Sequence, residues 1–170
     1  KWSRECFWAF ANINEPGGKV IVLNDQSTDA TLENLQSFLP QIEIIQGLEL
    51  PDEWLGKNYA CHQLAVHAKS EYLVFVDADV RLKEGAINSA ISFMVKKKWD
   101  FISPYPKQHI SGFLQLLIQP LLQWSWFSSI PFVYAYRYPN KSMAVANGQF
   151  LIVRADAYRR VDGHKGIKSE

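Results

Sequence analysis

Tyr72-Leu73-Val74-Phe75-Val76-Asp77-Ala78-Asp79 joins an uninterrupted run of strand-forming residues to two carboxylates at its carboxyl end. The continuous apolar run predicts a strand that is buried on both faces of a sheet. Ligands of open α/β sheets bind at the carboxyl ends of the strands, and Mg²⁺ uses one or two carboxylates together with substrate phosphates. The stretch therefore predicts a metal-bridged nucleotide site. The alternative is that Asp79 or Glu84 only caps the following helix.

The bulk composition describes a folded domain without the features of a nucleic-acid-binding protein. The chain has 170 residues, of which 48% are hydrophobic, and a net charge of +1. That charge gives no electrostatic reason to expect a nucleic-acid partner. Cys6 and Cys61 are far apart and form no disulfide framework, which favours a reducing compartment. Cys61, His62 and His67 do not have the spacing of a closed zinc site.

Strands and helices are predicted to alternate on either side of the opening stretch. Predicted strands cover 19–23, 42–45, 71–76 and 100–103, and predicted helices cover 5–13, 28–38, 58–69 and 85–97, with a turn over 14–18. This alternation predicts a single α/β domain over 1–170 with a mostly parallel sheet flanked by helices. Because the chain opens without methionine in what reads as the middle of a helix, we expect a fragment cut at both ends.

A segment without Asp, Glu, Lys or Arg runs over residues 108–136. It is long enough to span a bilayer, but Pro120 and glutamines at every fourth position interrupt it. We therefore expect an amphipathic helix lying in a membrane interface, with Trp124, Trp126 and Phe127 as aromatic anchors. A buried core or dimer helix is the alternative interpretation.

Four motifs together resemble the family 2 inverting glycosyltransferases, which have the GT-A fold. Residues 20–31, Val-Ile-Val-Leu-Asn-Asp-Gln-Ser-Thr-Asp-Ala-Thr, are similar to the family's strand and acidic turn. Residues 54–60 resemble its G-K-x-x-A helix start, residues 77–79 its D-x-D motif, and residues 147–164 its N-G-x-F stretch with the adjoining R-x-x-Y-x-x-V-G-G segment. Order and spacing also agree, and the membrane-associated branch that glycosylates lipids is the most similar.

The resemblance implies a role for each matching residue. Asp79 would be the direct ligand of Mg²⁺ or Mn²⁺, and Asp77 would contact the ribose, a metal-bound water or the metal itself. The implied nucleotide-sugar-binding residues are Asn24, Asp25, Lys57, Asp77, Asn147 and Gly148. His164 could reach the diphosphate, although a single histidine is more often packed or on the surface.

The residues themselves permit other interpretations. Asn24 and Asp25 favour a simple Asx turn as well as a contact to base and ribose. Lys57 opens a helix, where its charge opposes the helix dipole, so a role toward the nucleotide explains it better than helix stability does. A solvated surface lysine remains the alternative for Lys57.

The sequence also departs from the family pattern. Asn24 replaces the usual first Asp, and Asp162 replaces the first Gly of a Gly-Gly pair. The resemblance places the family's first strand before Lys1 and its acidic general base beyond Glu170. The 170 residues are therefore expected to be inactive alone.

The predicted function is transfer of a sugar, with inversion, from a nucleoside-diphosphate donor such as a UDP-sugar to a lipid or other hydroxyl acceptor. The resemblance implies a protein associated with the membrane at its cytoplasmic face. Two alternatives remain. One is a nucleotide-sugar or membrane-docking module without activity, and the other is a nucleotidyltransferase, against which the absence of a Gly-rich phosphate loop argues.

Overall fold

The computed structural model describes residues 6–11, 19–77, 79–105, 107, 112–129, 137–138 and 145–169. The chain divides into two compact units, Lys1–Tyr105 with Asn147–Glu170, and Pro106–Ala146. The strands are β1 Cys6–Ala11, β2 Lys19–Asn24, β3 Ile42–Gln46, β4 Tyr72–Asp77, β5 Phe101–Ile102 and β6 Phe150–Arg154. The helices are α1 Thr31–Gln36, α2 Gly56–His67, α3 Ala86–Lys97, α4 Phe113–Ser129 and α5 Ala155–Arg160, followed by a 3₁₀ helix over Gly163–Ile167.

The described strands form one sheet in the order β3-β2-β1-β4-β6-β5. Strands β2 and β3 pair in parallel, and the other neighbouring pairs are antiparallel. These pairings give β2, β3, β4 and β5 a common direction, opposite to that of β1 and β6. One edge of the sheet therefore collects the carboxyl ends of four strands and the amino ends of the other two.

Two predictions about this sheet are wrong. The sheet is mixed rather than mostly parallel, and Cys6–Ala11 is a strand rather than the end of a helix over 5–13. Strand β1 lies between β2 and β4, where it pairs with the backbone groups of two strands that are otherwise half unpaired. Its sequence, Cys-Phe-Trp-Ala-Phe-Ala, is rich in the aromatic residues that strands favour. The predicted turn over 14–18 lies outside the described residues.

Strand β4 is buried on both faces, as predicted. Residues 73–76 are all buried and alternate between the two sides of the sheet. Leu73 and Phe75 pack in a cluster with residues of α2, whereas Val74 and Val76 pack in another cluster with residues of α3. Helices therefore cover both sides of the sheet and hold the carboxyl end of β4 in place.

The helix starts distinguish capping acids from acids that have another role. The backbone N–H of Thr31 donates to Asp29 Oδ1 over 2.9 Å, so Asp29, one residue before the N-cap Ala30, satisfies the first N–H group of α1. A hydrogen bond from the Thr31 side chain, followed by this backbone bond, lowers the pKa of Asp29. Helix α3 instead begins after Gly85, which has φ 73°, and no side chain caps it. The alternative that Asp79 or Glu84 caps this helix is therefore wrong.

The second unit contains helix α4, which covers 17 residues of the charge-free segment. Its described large apolar side chains are exposed: Phe113, Leu114, Leu116, Leu117, Ile118, Leu121, Leu122, Trp124 and Phe127. Residues 108–111, residues 130–136 and the side chain of Trp126 lie outside the described set. Among the described helices, none has the length and hydropathy needed to cross a bilayer.

Candidate functional site

Three residues that are far apart in the sequence meet at the edge where four strands end. The Lys57 ammonium lies 2.7 Å from Asp77 Oδ1, 2.7 Å from Asp77 Oδ2 and 3.1 Å from the Gly148 carbonyl oxygen. Sequence analysis placed all three in one nucleotide site, and the structure brings them together. Lys57 is therefore not simply a solvated surface lysine, because its charge is directed onto the tip of β4.

Lys57 is positioned by a helix start that the C-terminal segment holds. Helix α2 begins at Gly56 after the extended residue Leu55, and no side chain caps it. The Leu55 N–H donates to the Lys168 carbonyl over 2.8 Å, and Asn58 Nδ2 donates to the Ile167 carbonyl over 2.7 Å. These bonds fix the first turn of α2 on both sides of Lys57.

The turn before β6 is held by a serine that sequence analysis missed. Ser103 Oγ donates to the Asn147 carbonyl over 2.9 Å and accepts from the Asn147 N–H over 2.6 Å. Asn147 Oδ1 accepts from the Gln149 N–H, and the Asp77 N–H donates to the Gln149 carbonyl over 3.0 Å. Much of the polar capacity of Asn147 is thus used to shape the turn that presents the Gly148 carbonyl.

The Asn24 side chain is buried and hydrogen-bonds to neighbouring residues at this edge of the sheet. It is 3% exposed, its Nδ2 donates to Gln46 Oε1 over 2.9 Å, and its Oδ1 accepts a long hydrogen bond from the Ser27 N–H at 3.4 Å. The bond to Ser27 reaches three residues on, one further than in an Asx turn, so Asn24 holds the turn after β2 without forming a simple Asx turn. Ser27 Oγ, in the same turn, is buried without a hydrogen-bond partner among the described residues, so it is a hydroxyl that a ligand could satisfy.

Asp25 lies against Gly47, a second residue that sequence analysis missed. A Cβ on Gly47 would lie 2.9 Å from Asp25 Oδ1, 3.2 Å from Asp25 Cα and 3.2 Å from Leu23 Cδ2. Glycine follows β3 here because the backbone of the parallel neighbour β2 passes close by. The signal in the sequence is a glycine directly after a predicted strand, but only the strand pairing identifies what it contacts.

We expect Gly47→Ala to weaken nucleotide binding by about tenfold, since a shift of about 1 Å in a positioning group has effects of that order or larger. The new methyl group displaces the Asp25 carboxylate while costing about 1 kcal/mol of stability. Calorimetric titration with UDP measures the affinity. Gly112→Ala is the control because nothing lies within 4 Å of a Cβ at that position. Equal UDP affinity in the two variants would contradict a binding role for Asp25.

Asn24 and Asp25 lie at the end of β2, whereas Asp77, which binds Lys57 of α2, lies at the end of β4. Strand β1 lies between β2 and β4, with Phe7 paired to both Leu23 and Asp77 in the register. Two strand spacings amount to about 10 Å. This separation suits an elongated ligand that contacts one strand end with its base and the other with its phosphates.

The tip of β4 has the donor chemistry of a hard-cation site. Three oxygen atoms, two from Asp77 and one from Gly148, already converge on a positive charge, that of Lys57. Asp79 is exposed two residues further on. Among the described residues, no three His, Cys, Asp or Glu side chains are arranged to hold a metal. A cation here would take part of its oxygen ligands from a bound diphosphate, as Mg²⁺ typically does.

His164 is packed beneath this edge instead of reaching into it. Its Nδ1 lies 2.8 Å from the Tyr158 hydroxyl, which also accepts from the His164 N–H, and its ring meets Phe75 edge-on. Burial, followed by the charges of His62 and Lys57, lowers the pKa of His164 to about 4. His164 is therefore neutral at pH 7 and serves as a packed hydrogen-bonding partner.

Because His164 is neutral in the folded state but has an ordinary pKa when unfolded, the unfolded chain binds more protons between about pH 6.5 and pH 4. We expect the free energy of unfolding to decrease as the pH is lowered through that window, by up to about 1.4 kcal/mol per pH unit. Above the window, His164 should make the free energy of unfolding no more dependent on pH. Urea unfolding at pH 7.5 and pH 5.0 measures the difference. His164→Asn should lose most of it, and an unchanged difference in that variant would assign the pH dependence to other groups.

Cys61 is a structural thiol in the same cluster of buried residues. It is free and buried, and burial raises its pKa to about 12. Such a thiol is a poor nucleophile, because attack needs the thiolate. The absence of a zinc site at Cys61, His62 and His67 stays a prediction.

A cavity of about 640 Å³ lies at the opposite end of β4. Tyr72, Asn88, Ser92 and Lys96 contribute to its lining, with Tyr72 at the amino end of the strand. It collects side chains from α3 and β4 but no group from the strand-end cluster around Asp77. Size alone does not make it the site, since specific binding needs convergent polar groups such as those at Asp77.

Comparison with known proteins gives the family. The model of the family described as glycosyl transferase family 2 matches residues 1–162. The chain belongs to glycosyl transferase family 2. The family 2 resemblance predicted from the four motifs is confirmed. The donor, the inversion, the metal and the individual site residues stay predictions.

Curated relatives match most of the chain at low identity. The 4,4'-diaponeurosporenoate glycosyltransferase of Staphylococcus haemolyticus (strain JCSC1435) is 27% identical over an alignment of 158 positions that covers 88% of this chain and 40% of that protein. The enzyme of the same name from Staphylococcus aureus (strain USA300) is 26% identical over an alignment of 154 positions that covers 86% of this chain and 39% of that protein. The chain thus spans about two fifths of the length of these relatives. No solved structure matches the chain at a significant level.

Proposed function

We propose that the protein is an inverting glycosyltransferase that moves a sugar from a nucleoside-diphosphate donor to a lipid acceptor. The observation that carries the proposal is the meeting of Lys57, Asp77 and Gly148 at the strand-end edge of a family 2 chain. A carboxylate and a mobile cation at one point are the groups needed to bind a diphosphate and compensate its charge as it leaves. The family match favours sugar transfer over nucleotidyl transfer.

The leaving diphosphate is handled at the tip of β4. Lys57 is on the first turn of α2, half exposed, and its ammonium can move from Asp77 to phosphate oxygens by rotation about its flexible side chain. Asp79 and Asp77 would hold Mg²⁺ or Mn²⁺, which supplies Lewis-acid neutralisation of the departing diphosphate. Hydrogen bonds from the first turn of α2 to the C-terminal segment keep the backbone at Lys57 fixed during this step.

The nucleoside and the sugar occupy opposite ends of the same edge. We assign the charged contact to base or ribose to Asp25, with Asn24 fixing the backbone from which Asp25 projects. Asn147 and Gly148 face the donor sugar. A Cβ on Gly148 would lie 3.5 Å from Lys57 Nζ, so the absence of a side chain leaves the space beside the ammonium open to a ligand.

Inversion requires a base on the face of the sugar opposite the leaving group. The expected acidic base beyond Glu170 lies outside the described residues. The Leu55–Lys168 hydrogen bond places residue 168 beside the first turn of α2 and thus near Lys57. Because residue 168 lies beside that turn, we propose that the base comes from the region that follows it.

The lipid acceptor is supported by helix α4 and by the names of the relatives. The helix carries no charged residue, and its described large apolar side chains are exposed. Such a surface, with Trp124 and Phe127, is typical of a helix lying in a bilayer interface. The relatives are named for 4,4'-diaponeurosporenoate, and we propose an acceptor of the same kind here, reached at the cytoplasmic face of the membrane.

We expect the full-length protein to sediment with anionic lipid vesicles. The triple variant Leu117→Ser/Trp124→Ser/Phe127→Ser should partition onto the vesicles at least about tenfold less, because burying three apolar side chains in the bilayer interface contributes several kcal/mol. Leu48→Ser/Val66→Ser is the control, since those residues are exposed and apolar but lie in the first unit. Equal loss in both variants would contradict interfacial binding by α4.

The proposed activity is tested with the full-length protein, a panel of nucleotide sugars and vesicles that contain a lipid acceptor, with Mg²⁺ or Mn²⁺. We expect transfer from one donor class, UDP-sugars first, and a product whose anomeric configuration is inverted, as read by NMR. Retention of configuration would overturn the inverting mechanism. Release of pyrophosphate from a nucleoside triphosphate, without sugar transfer from any donor, would establish the nucleotidyltransferase alternative.

A further inference from the structure

Lys57 holds its ammonium where a metal ion would compete for the same oxygen atoms. It lies equally close to both Asp77 carboxylate oxygens, at 2.7 Å, and at 3.1 Å from the Gly148 carbonyl. The two residues of the ion pair are partly shielded, with the side chains of Lys57 and Asp77 42% and 25% exposed. An ammonium that straddles a carboxylate in this way blocks the approach of a second cation to it.

The position of Lys57 on α2 is not explained by the stability of that helix. A cation in the first turn opposes the helix dipole, and the first turn of α2 contains no acidic residue to offset it. The turn is nevertheless fixed from outside, through Leu55 to Lys168 and through Asn58 to Ile167. The fold thus holds the backbone of Lys57 close to Asp77, while the long, half-exposed lysine side chain can still exchange partners.

We propose that Lys57 is a resident counter-cation, which occupies Asp77 until a nucleoside diphosphate draws it away and leaves the carboxylate to a divalent cation. Two cations at contact distance from one carboxylate repel each other, so the bound ammonium weakens the binding of a metal ion there. A diphosphate provides charged oxygen acceptors for the ammonium and further oxygen ligands for the cation. This inference rests on the proposed function and adds an order to it: nucleotide and metal bind cooperatively, and metal alone binds weakly.

The device predicts opposite effects of one substitution on two affinities. In Lys57→Met the Asp77 carboxylate is no longer neutralised, so Mn²⁺ alone should bind more tightly, on the order of tenfold. The same variant should bind UDP in the presence of Mn²⁺ more weakly, also on the order of tenfold, because the ammonium no longer reaches the phosphates. A purely structural lysine would change both affinities in the same direction or leave both unchanged.

The measurement is free Mn²⁺ by electron paramagnetic resonance on the full-length protein, first with metal alone and then with saturating UDP. Lys19→Met is the matched control, since it removes a 2.6 Å ion pair with Glu43 at the start of β2. Lys57→Arg keeps the charge and should keep the weak binding of metal alone. Asp77→Asn in the Lys57→Met background should abolish the gain, which assigns the new affinity to that carboxylate.

Unchanged or weaker binding of Mn²⁺ alone by folded Lys57→Met would overturn the counter-cation proposal. The same result in Lys57→Gln would do so if Lys57→Met does not fold. The proposed function fails separately, when the wild-type protein binds no UDP in either the presence or the absence of Mn²⁺. A wild-type protein that binds UDP with Mn²⁺, together with a Lys57→Met variant that shows no gain for metal alone, retains the first proposal and rejects the second.

Discussion

Asp79→Ala should lower the affinity for UDP in the presence of Mn²⁺ by at least about 100-fold, because the substitution removes a charged metal ligand and its contribution to the bound diphosphate. Asp79 is exposed and does not cap α3, so the free energy of unfolding should change by less than about 0.5 kcal/mol. Isothermal titration of UDP with Mn²⁺ and again with EDTA measures the effect.

Asp52→Ala is the matched control for this prediction, as an exposed carboxylate in the loop before α2. It should bind UDP like the wild type. If wild-type affinity is the same with Mn²⁺ and with EDTA, the role of metal at Asp79 is refuted. If Asp79→Ala alone binds like the wild type, the metal has other ligands and the assignment to Asp79 is wrong.

Among the substitutions considered, Gly163→Ala should lower the free energy of unfolding the most, by at least about 3 kcal/mol, because it combines backbone strain with overpacking. Gly163 has φ 47°, and a Cβ there would lie 2.1 to 2.6 Å from atoms of the Tyr158 ring. The ring packs against the core cluster that contains Phe75 and bonds to His164, so it cannot yield without breaking both contacts.

Gly85→Ala separates the two parts of this effect. Gly85 also has a positive φ, 73°, but no atom lies within 4 Å of its Cβ position, so only backbone strain applies. We expect a loss of about 1 kcal/mol there. Chemical denaturation of both variants gives the comparison, and losses of equal size would show that Tyr158 yields freely to the added methyl group.

Sequence analysis predicted those features that depend on residues close together in the chain. The continuous apolar residues 73–76 gave a strand covered on both sides, and the motif positions Lys57, Asp77 and Gly148 were assigned to one site that the structure assembles. The strand follows from the hydrophobic pattern and the three positions from residue type at family motifs, and both are short-range information. The role of the three residues in nucleotide binding stays a prediction.

The direction and neighbours of the strands were not predictable in the same way. A buried strand has the same pattern whether its neighbours are parallel or antiparallel, so the hydrophobic pattern gave no strand directions. Strand β1 was predicted as the end of a helix, and no strand was predicted over the residues of β6. Gly47 and Ser103 were missed for a related reason. Position 47 needs a glycine because Asp25, which follows the adjacent strand, lies against it. Ser103 matters because it hydrogen-bonds to Asn147, 44 residues later in the chain.

Hydrogen exchange of the full-length protein with and without UDP and Mn²⁺ tests most directly whether the donor binds at the carboxyl ends of the strands. We predict protection in 24–27, 47–58, 79–80 and 147–149 and at Asp77, the segments to which donor contacts are assigned or which adjoin them. The peptides that line the cavity around Tyr72 and Lys96 should exchange as before. Protection of those peptides, with none at the strand-end segments, would contradict the account.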